Sequence, residues 1–284
     1  MRFPSAHTKL VMLLGYPLEH TLSPIMHNRV FDKLDMDYCY WPVEVAEQDL
    51  PTVFSGLLKM NVAGFNVTMP HKIRIMDLID EIDPLANVIG AVNTVCIQDG
   101  RTKGYNTDGI GFVKSIEEEF EMSVVGKKVF LIGCGGAGRA ISMTLATKGC
   151  KKIYLRSRRT LAVEALCRDI NRRFDDCAAV APSESEGTAE ALRGCDILIN
   201  AGSVGMHPHE DQMPIDAGLL FKDLIVADVV YNPRMTRLLE TAKTTGCKII
   251  NGLGMLVYQG QESFRLWTGV TPPVGEMFDS VLNG

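Results

Sequence analysis

Residues 129–138 constrain the chain more than any other stretch. Val129-Phe130-Leu131-Ile132 is wholly apolar, as expected of a parallel strand covered on both faces, and runs straight into Gly133-Cys134-Gly135-Gly136-Ala137-Gly138. Arg139–Thr147 then carries a helical pattern. Glycine lets the backbone turn tightly and approach a pyrophosphate, while a helix N-terminus offers free N–H groups and a positive dipole end. Gly133, Gly135, Gly136, Ala137 and Gly138 are therefore expected to bind a dinucleotide; the competing reading is a ligand-free glycine turn. An NAD site places an acid at the end of the second strand, about 20 residues on, to accept from the ribose 2′-hydroxyl. Here the sequence is Tyr154-Leu155-Arg156-Ser157-Arg158-Arg159-Thr160, with three Arg and no acid. Guanidinium groups neutralise a 2′-phosphate, so NADP is expected first, with NAD as the alternative cofactor.

Short apolar runs alternate with helical stretches along most of the chain, which implies βαβ units and a mainly parallel α/β architecture. Leu10–Leu14, Tyr38–Val43, Val62–Val67, Val92–Ile97, Lys152–Leu155, Ile197–Asn200 and Leu224–Val230 read as strands, and Asp99-Gly100 as a turn. Ser23-Pro24 reads as a helix start with Ser23 as N-cap. Leu50–Met60, Ala162–Phe174 and Gly254–Gly269 read as helices, and Ser183–Gly187 as a surface loop. The stretch from about 126 to 250 reads as a doubly wound unit of its own.

At 284 residues the chain is long enough for one large domain or two medium ones. Its net charge of −5 argues against a nucleic-acid or anionic-membrane binder. No run of 18 apolar residues is present, and Leu10–Leu14 is too short for a signal sequence. The eight Cys form no C-x-x-C pair, so they read as buried thiols of a reducing cytosol rather than a zinc or disulfide framework. The fourteen Met read as core filler. His207-Pro208-His209 reads as a surface loop without a third ligand at metal spacing, so no metal is expected. His20 and His27 are expected to hydrogen-bond locally, Cys134 to be unreactive, and Glu117–Glu119 to form a solvated helix face.

Polar clusters interrupt buried-looking structure in the first half: His20-Thr21-Leu22-Ser23-Pro24, Asn66-Val67-Thr68-Met69-Pro70-His71-Lys72, Gly90-Ala91-Val92-Asn93-Thr94 and Gly104-Tyr105-Asn106-Thr107-Asp108. Each ends an apolar run, where parallel sheets bind ligands. Hydroxyls, amides, one Lys and one Asp suit a small polyhydroxylated carboxylate.

Together with Asn200-Ala201-Gly202-Ser203-Val204-Gly205-Met206, Val230-Tyr231-Asn232-Pro233 and Gly252-Leu253-Gly254-Met255-Leu256-Val257-Tyr258-Gln259, these motifs, in this order, resemble the shikimate dehydrogenase family, quinate/shikimate dehydrogenases included. The resemblance spans Gly15 to about Gly269. It implies reversible NADP-linked interconversion of 3-dehydroshikimate and shikimate, on the route to aromatic amino acids. It also implies a substrate domain of residues 1–107 with 252–284 and a Rossmann-type NADP domain of residues 108–251, with the ligand in the cleft between. By resemblance Lys72 and Asp108 are the catalytic pair, an ammonium and a carboxylate that converge opposite the nicotinamide. Asp108 equally suits an N-cap for a helix from Gly109.

Thr21 and Ser23 match the hydroxyls that bind the substrate carboxylate; Asn66, Thr68, Asn93 and Gln259 match further substrate contacts, and Tyr231 is placed at the substrate. Ser157, Arg158, Arg159 and Thr160 match the adenosine-phosphate loop. Ser203, Met206, Val229, Gly252 and Gly254 match cofactor positions. Thr21 stands where Ser is usual, which leaves shikimate against quinate preference open, and Gly202 stands where Thr is usual. The alternatives are a quinate/shikimate dehydrogenase using NAD or both cofactors, and a non-catalytic dinucleotide-sensing module. The expected partner is a small-molecule substrate, in a cytoplasmic monomer or homodimer.

Overall fold

The computed structural model describes residues 4–18, 21–182 and 184–283. The chain divides into two compact α/β units, residues 1–107 with 257–284 and residues 108–256.

The first unit begins with β1 (Lys9–Gly15), α1 (Ser23–Lys33), β2 (Tyr38–Glu44), α2 (Leu50–Leu57) and β3 (Val62–Val67). β4 (Glu81–Ile82), α3 (Pro84–Ile89), β5 (Thr94–Gln98) and β6 (Arg101–Tyr105) follow. Its six-stranded sheet has the order β2-β1-β3-β5-β6-β4. β1 pairs in parallel with β2 and β3, and β4 with β6, whereas β5 runs antiparallel to both neighbours. The antiparallel hairpin exists because Asp99 and Gly100 both take positive φ, 52° and 75°, the requirement of a two-residue turn matched to strand twist. The core gathers Leu14, Leu50, Phe65, Ile75 and Val95, all fully buried.

α1 starts one residue earlier than expected, at Ser23, the residue read as its cap. Leu22 occupies the cap position, and Ser23 and Pro24 are the first helical residues, with no side-chain cap. Pro24 costs no hydrogen bond there because the first turn's N–H groups have no helical partner. Ser23 does not cap because it already lies inside the helix as its first residue.

The second unit runs α4 (Asp108–Phe120), β7 (Lys128–Ile132), α5 (Gly136–Thr147), β8 (Lys152–Arg156), α6 (Thr160–Asn171) and β9 (Ala178–Val180). α7 (Ser185–Arg193), β10 (Ile197–Asn200), β11 (Ile225–Asp228), α8 (Arg237–Thr245) and β12 (Lys248–Ile250) complete it. The sheet order is β12-β11-β10-β7-β8-β9, every pairing parallel. Connections leave β7 toward one edge and β10 toward the other, so the carboxyl ends of β7 and β10 form the switch point where such sheets bind ligands. Phe130, Leu198 and Val226 sit at the centre of the core. α9 (Leu253–Thr268) begins in this unit and continues in the first, which α10 (Val274–Leu282) closes through a Lys33–Glu276 ion pair of 2.9 Å.

Three expectations are corrected. Residues 185–187, expected in a loop, form the first turn of α7, whose buried Thr188 and Leu192 lie one turn apart; Ser183 lies outside the described residues. The helix from Leu50 stops at Leu57 rather than Met60. Methionine is not only core filler: Met26, Met143 and Met277 are fully buried, but Met69 is 76% exposed and Met60, Met206 and Met235 are also exposed. Met69, Met206 and Met235 lie between regular elements, where no core exists to cover them.

Candidate active site

In the first unit the polar residues at the strand ends form one hydrogen-bonded group. Asn66, near the end of β3, is its centre. Its amide nitrogen donates to the Asn93 carbonyl (3.0 Å), Thr94 Oγ1 (3.0 Å) and Ser263 Oγ (3.3 Å), and its oxygen accepts from the Tyr40 hydroxyl at 2.8 Å. Asn93 Oδ1 accepts from the Thr107 N–H at 2.8 Å, and its Nδ2 donates to Thr107 Oγ1 at 2.9 Å. Thr107 Oγ1 in turn donates to Gln259 Oε1 at 3.4 Å. Ser23 joins through its hydroxyl bond to Tyr40. Ser23, Asn66, Asn93 and Gln259 are thus brought together, and all but Gln259 are buried.

Sequence reasoning missed Tyr40 and Ser263 in this group, and placed Thr94 in a polar cluster without a role of its own. Tyr40 is fixed from several sides. Asn28 clamps its backbone with bonds of 2.8 and 2.9 Å, and the His27 ring stacks on its own at 4.6 Å. Burial pushes its phenol well above the usual range, with the Ser23 bond opposing, so it stays a neutral donor. Ser263 stands four residues after Gln259, on the same helix face, and that spacing was its available signal.

Thr21 Oγ1 accepts from the Ser23 N–H at 3.3 Å. Thr68 is anchored by its N–H to the Leu14 carbonyl (2.8 Å), and its own carbonyl accepts from the His71 N–H (2.8 Å). His71, fully buried, ties its Nε2 to the Val45 carbonyl at 2.8 Å. This fixes the turn that carries half-buried Lys72, whose carbonyl accepts from the Val92 N–H at 2.8 Å. Asp108 is the first residue of the second unit and follows Thr107 directly. α4 begins at Asp108 itself rather than at Gly109, which places the carboxylate in the first turn, where the helix dipole favours negative charge.

His27 departs from expectation. It makes no hydrogen bond at either ring nitrogen among the described residues, and packs among Tyr40, Phe264 and Trp267. Burial lowers its pKa to about 3, because an imidazolium there would lose its hydration. His20 lies outside the described residues.

In the second unit the glycine turn joins β7 to α5. Gly133 has φ +106°, and a Cβ there would sit 2.8 Å from the Ala201 carbonyl carbon and the Gly202 nitrogen. At Gly138 a Cβ would meet the Gly133 carbonyl. A Cβ at Gly135 or Gly136, by contrast, would meet nothing within 4 Å, and α5 has no side-chain cap at Gly135. Open space, helix-end N–H groups and a minimal backbone are what a pyrophosphate needs. Ala137 lies in the first turn of α5. Cys134 has its thiol pushed up to about 11, chiefly by burial, so it stays protonated and unreactive.

Gly133 N–H donates to the Arg156 carbonyl at 2.8 Å, which ties the glycine turn to the end of β8. Ser157 follows half-buried, and Arg158, Arg159 and Thr160 are exposed. Arg158 and Ser203 line one hollow of about 240 Å³ with Val204, His209 and Gln212. Met206 is exposed on the same loop after β10. Gly252 N–H donates to the Val230 carbonyl at 3.0 Å, which sets Gly252 against Val229; Gly254 packs on Ser115. Tyr231, assigned above to the substrate, belongs to this unit; it is half-buried, and burial raises its phenol.

Asp228, which sequence reasoning missed, ends β11 fully inside the unit. It accepts from Asn200 Nδ2 (3.0 Å), the Val230 N–H (3.0 Å) and Thr236 Oγ1 (2.8 Å). Burial nonetheless pushes its pKa up to about 6. An acid closing an apolar strand was its available signal.

All eight cysteines are free, and burial raises every thiol. His207 pairs with Glu210 at 3.0 Å and His209 with Gln212 at 3.2 Å. Among the described residues no helix is long and apolar enough to cross a membrane.

A family profile described as shikimate dehydrogenase substrate binding domain matches residues 13–95, and one described as shikimate 5'-dehydrogenase C-terminal domain matches residues 252–282. The chain is 44% identical over 272 residues to the shikimate dehydrogenase (NADP(+)) of Alkaliphilus metalliredigens, covering 95% of each. The crystal structure of a shikimate dehydrogenase in complex with NADP+ is 40% identical, with a TM-score of 0.92 over 99% of this chain and 97% of that one. The shikimate 5-dehydrogenase of Listeria monocytogenes in complex with shikimate and NAD is 38% identical, with a TM-score of 0.94 over 99% of both chains.

Proposed function

The chain belongs to the shikimate dehydrogenase family, and from that premise we propose that it catalyses the reversible NADP-dependent reduction of 3-dehydroshikimate to shikimate, on the route to aromatic amino acids. The observation that carries the reading is the joining of Ser23, Asn66, Asn93 and Gln259 into one hydrogen-bonded group. A hydroxyl-and-amide surface of this kind suits a polyhydroxylated carboxylate.

Ser23 and Thr21 hold the substrate carboxylate through their hydroxyls. Asn66, Thr68, Asn93 and Gln259 bind ring hydroxyls or the carboxylate, and Tyr231 completes the substrate contacts. Gly133, Gly135, Gly136, Ala137 and Gly138 cradle the pyrophosphate. Ser157, Arg158, Arg159 and Thr160 hold the 2′-phosphate end, and Ser203, Met206, Val229, Gly252 and Gly254 line the nicotinamide half. Bound NADPH supplies the hydride. Lys72 gives a proton to the carbonyl oxygen as it turns into an alkoxide, a contribution of about 10²–10⁴ in rate for a placed general acid. Asp108 holds the Lys72 ammonium and accepts a hydrogen bond from the new hydroxyl. In oxidation the same two residues act in reverse.

Residues 1–107 with 252–284 form the substrate domain and residues 108–251 the cofactor domain. Eight unpaired thiols fit a reducing cytoplasm, and the enzyme acts as a monomer or homodimer. The test is an initial-rate assay of shikimate and quinate, each with NADP+ and NAD+. Shikimate with NADP+ should be fastest. A faster rate for quinate with NAD+ overturns the substrate and cofactor assignment, and no turnover with any pair favours a dinucleotide-sensing module.

A further inference from the structure

Asp228 has no place in the steps above, yet it is a buried charge that gathers three hydrogen-bond donors in the second unit. An ionised carboxylate is an acceptor only, with room for about four hydrogen bonds, and three donors from three segments converge on this one. Asn200 ends β10; besides donating to Asp228 Oδ1, its Nδ2 donates to the Val204 carbonyl at 3.1 Å, and its Oδ1 accepts from the Gly202 N–H at 3.2 Å. Asn200 therefore shapes the loop that presents Ser203. The Val230 N–H opens the segment that carries Tyr231, beside Val229. Thr236 caps α8 by accepting from the Leu239 N–H at 3.4 Å while its hydroxyl donates to Asp228 Oδ2. Gly205, at φ +99°, closes against Thr236: a Cβ there would lie 3.3 Å from its side chain. An asparagine at 228 would turn an NH₂ toward one of three donors, and a serine would span too little.

We propose that Asp228 is a positioning residue that sets the loops after β10 and β11 in register, so that Ser203, Met206 and Val229 meet the nicotinamide half of the cofactor together. This rests on the NADP reading above. Asp228 acts through Asn200, Val230 and Thr236, not by touching cofactor.

The test measures NADPH and shikimate affinity separately, by fluorescence and calorimetric titration of the full chain, for wild type, Asp228→Asn, Thr236→Val and Thr236→Ser, with a thermal melt of each. Asp228→Asn should weaken NADPH at least tenfold and Thr236→Val about fivefold, with Thr236→Ser restoring wild-type affinity because it keeps the hydroxyl. Shikimate affinity should stay within twofold throughout. Folded Asp228→Asn and Thr236→Val proteins that bind NADPH as wild type does overturn the positioning role alone. So does an equal loss of both affinities, which is the mark of general destabilisation. Should Asp228→Asn fail to fold, the Thr236 pair decides by itself. Wild type that binds no NADPH overturns the cofactor reading on which the role rests.

Discussion

The two units present polar groups at the ends of their strands with different materials. In the first unit the groups are side chains: Tyr40, Asn66, Asn93, Thr94, Thr107, Gln259 and Ser263, all neutral, each spending its hydrogen bonds on the others. In the second the groups are backbone N–H donors at the start of α5, uncovered where Gly135 and Gly136 carry no side chain, and a buried carboxylate, Asp228, ties the ends of β10 and β11 together. A hydroxylated ring offers donors and acceptors in a fixed pattern, which a rigid set of amides and hydroxyls can match. A pyrophosphate offers only acceptor oxygens and charge, which N–H groups and a helix dipole satisfy without side chains. The contrast predicts that the second site fails when a side chain is added, and the first when one is taken away.

Gly133→Ala should have the largest effect of that kind. The alanine must adopt φ near +106° and press on the Ala201–Gly202 backbone, at a cost of about 3 kcal/mol, with NADPH binding lost. Urea unfolding and an NADPH titration check it. Wild-type values in both would end the claim that this site is built from backbone.

A second difference is the response to acid, with opposite signs in the two units. His27 has a folded pKa near 3, depressed from 6.5. Its contribution is present above pH 6.5 and is lost as pH falls, by about 2 kcal/mol at pH 5. Asp228, raised from 3.8 to about 6, stabilises the fold more as pH falls through 6, by about 1 kcal/mol between pH 7 and 5. His27→Phe should therefore lose less stability than wild type between pH 7 and 5, and Asp228→Asn should lose more. Urea midpoints at the two pH values measure both, and parallel curves for all three proteins would contradict the opposite signs.

The smallest expected effect sharpens the cofactor side. Arg159→Ala should weaken NADP+ about fivefold, as an exposed charge-assisted contact to a phosphate would, and leave NAD+ within twofold. Equal weakening of both would remove the 2′-phosphate assignment.

The same contrast explains what was legible in the sequence. The turn after β7 could be read directly, because a backbone requirement is written as glycine in a local string. Strands such as Val62–Val67 and Ile197–Asn200 were legible for a similar reason, since both faces are covered and the run is apolar. The side-chain network was legible only in part. Asn66 and Ser263 are bonded across 197 positions, and no local pattern links them. Resemblance supplied Ser23, Asn66, Asn93 and Gln259, while Tyr40 and Ser263 passed as ordinary strand and helix residues. α7 was missed because Ser185-Glu186-Gly187-Thr188 has a loop composition and only one narrow face is buried. His27 was misread because polarity suggested a hydrogen bond, whereas its surroundings are aromatic rings.

Lys72→Ala removes the one cation assigned to proton transfer and spares both binding surfaces. Measured with shikimate and NADP+, kcat should fall by about 10³-fold or more, while the separately titrated affinities for shikimate and NADPH stay within a few-fold of wild type. Unchanged turnover would contradict the account.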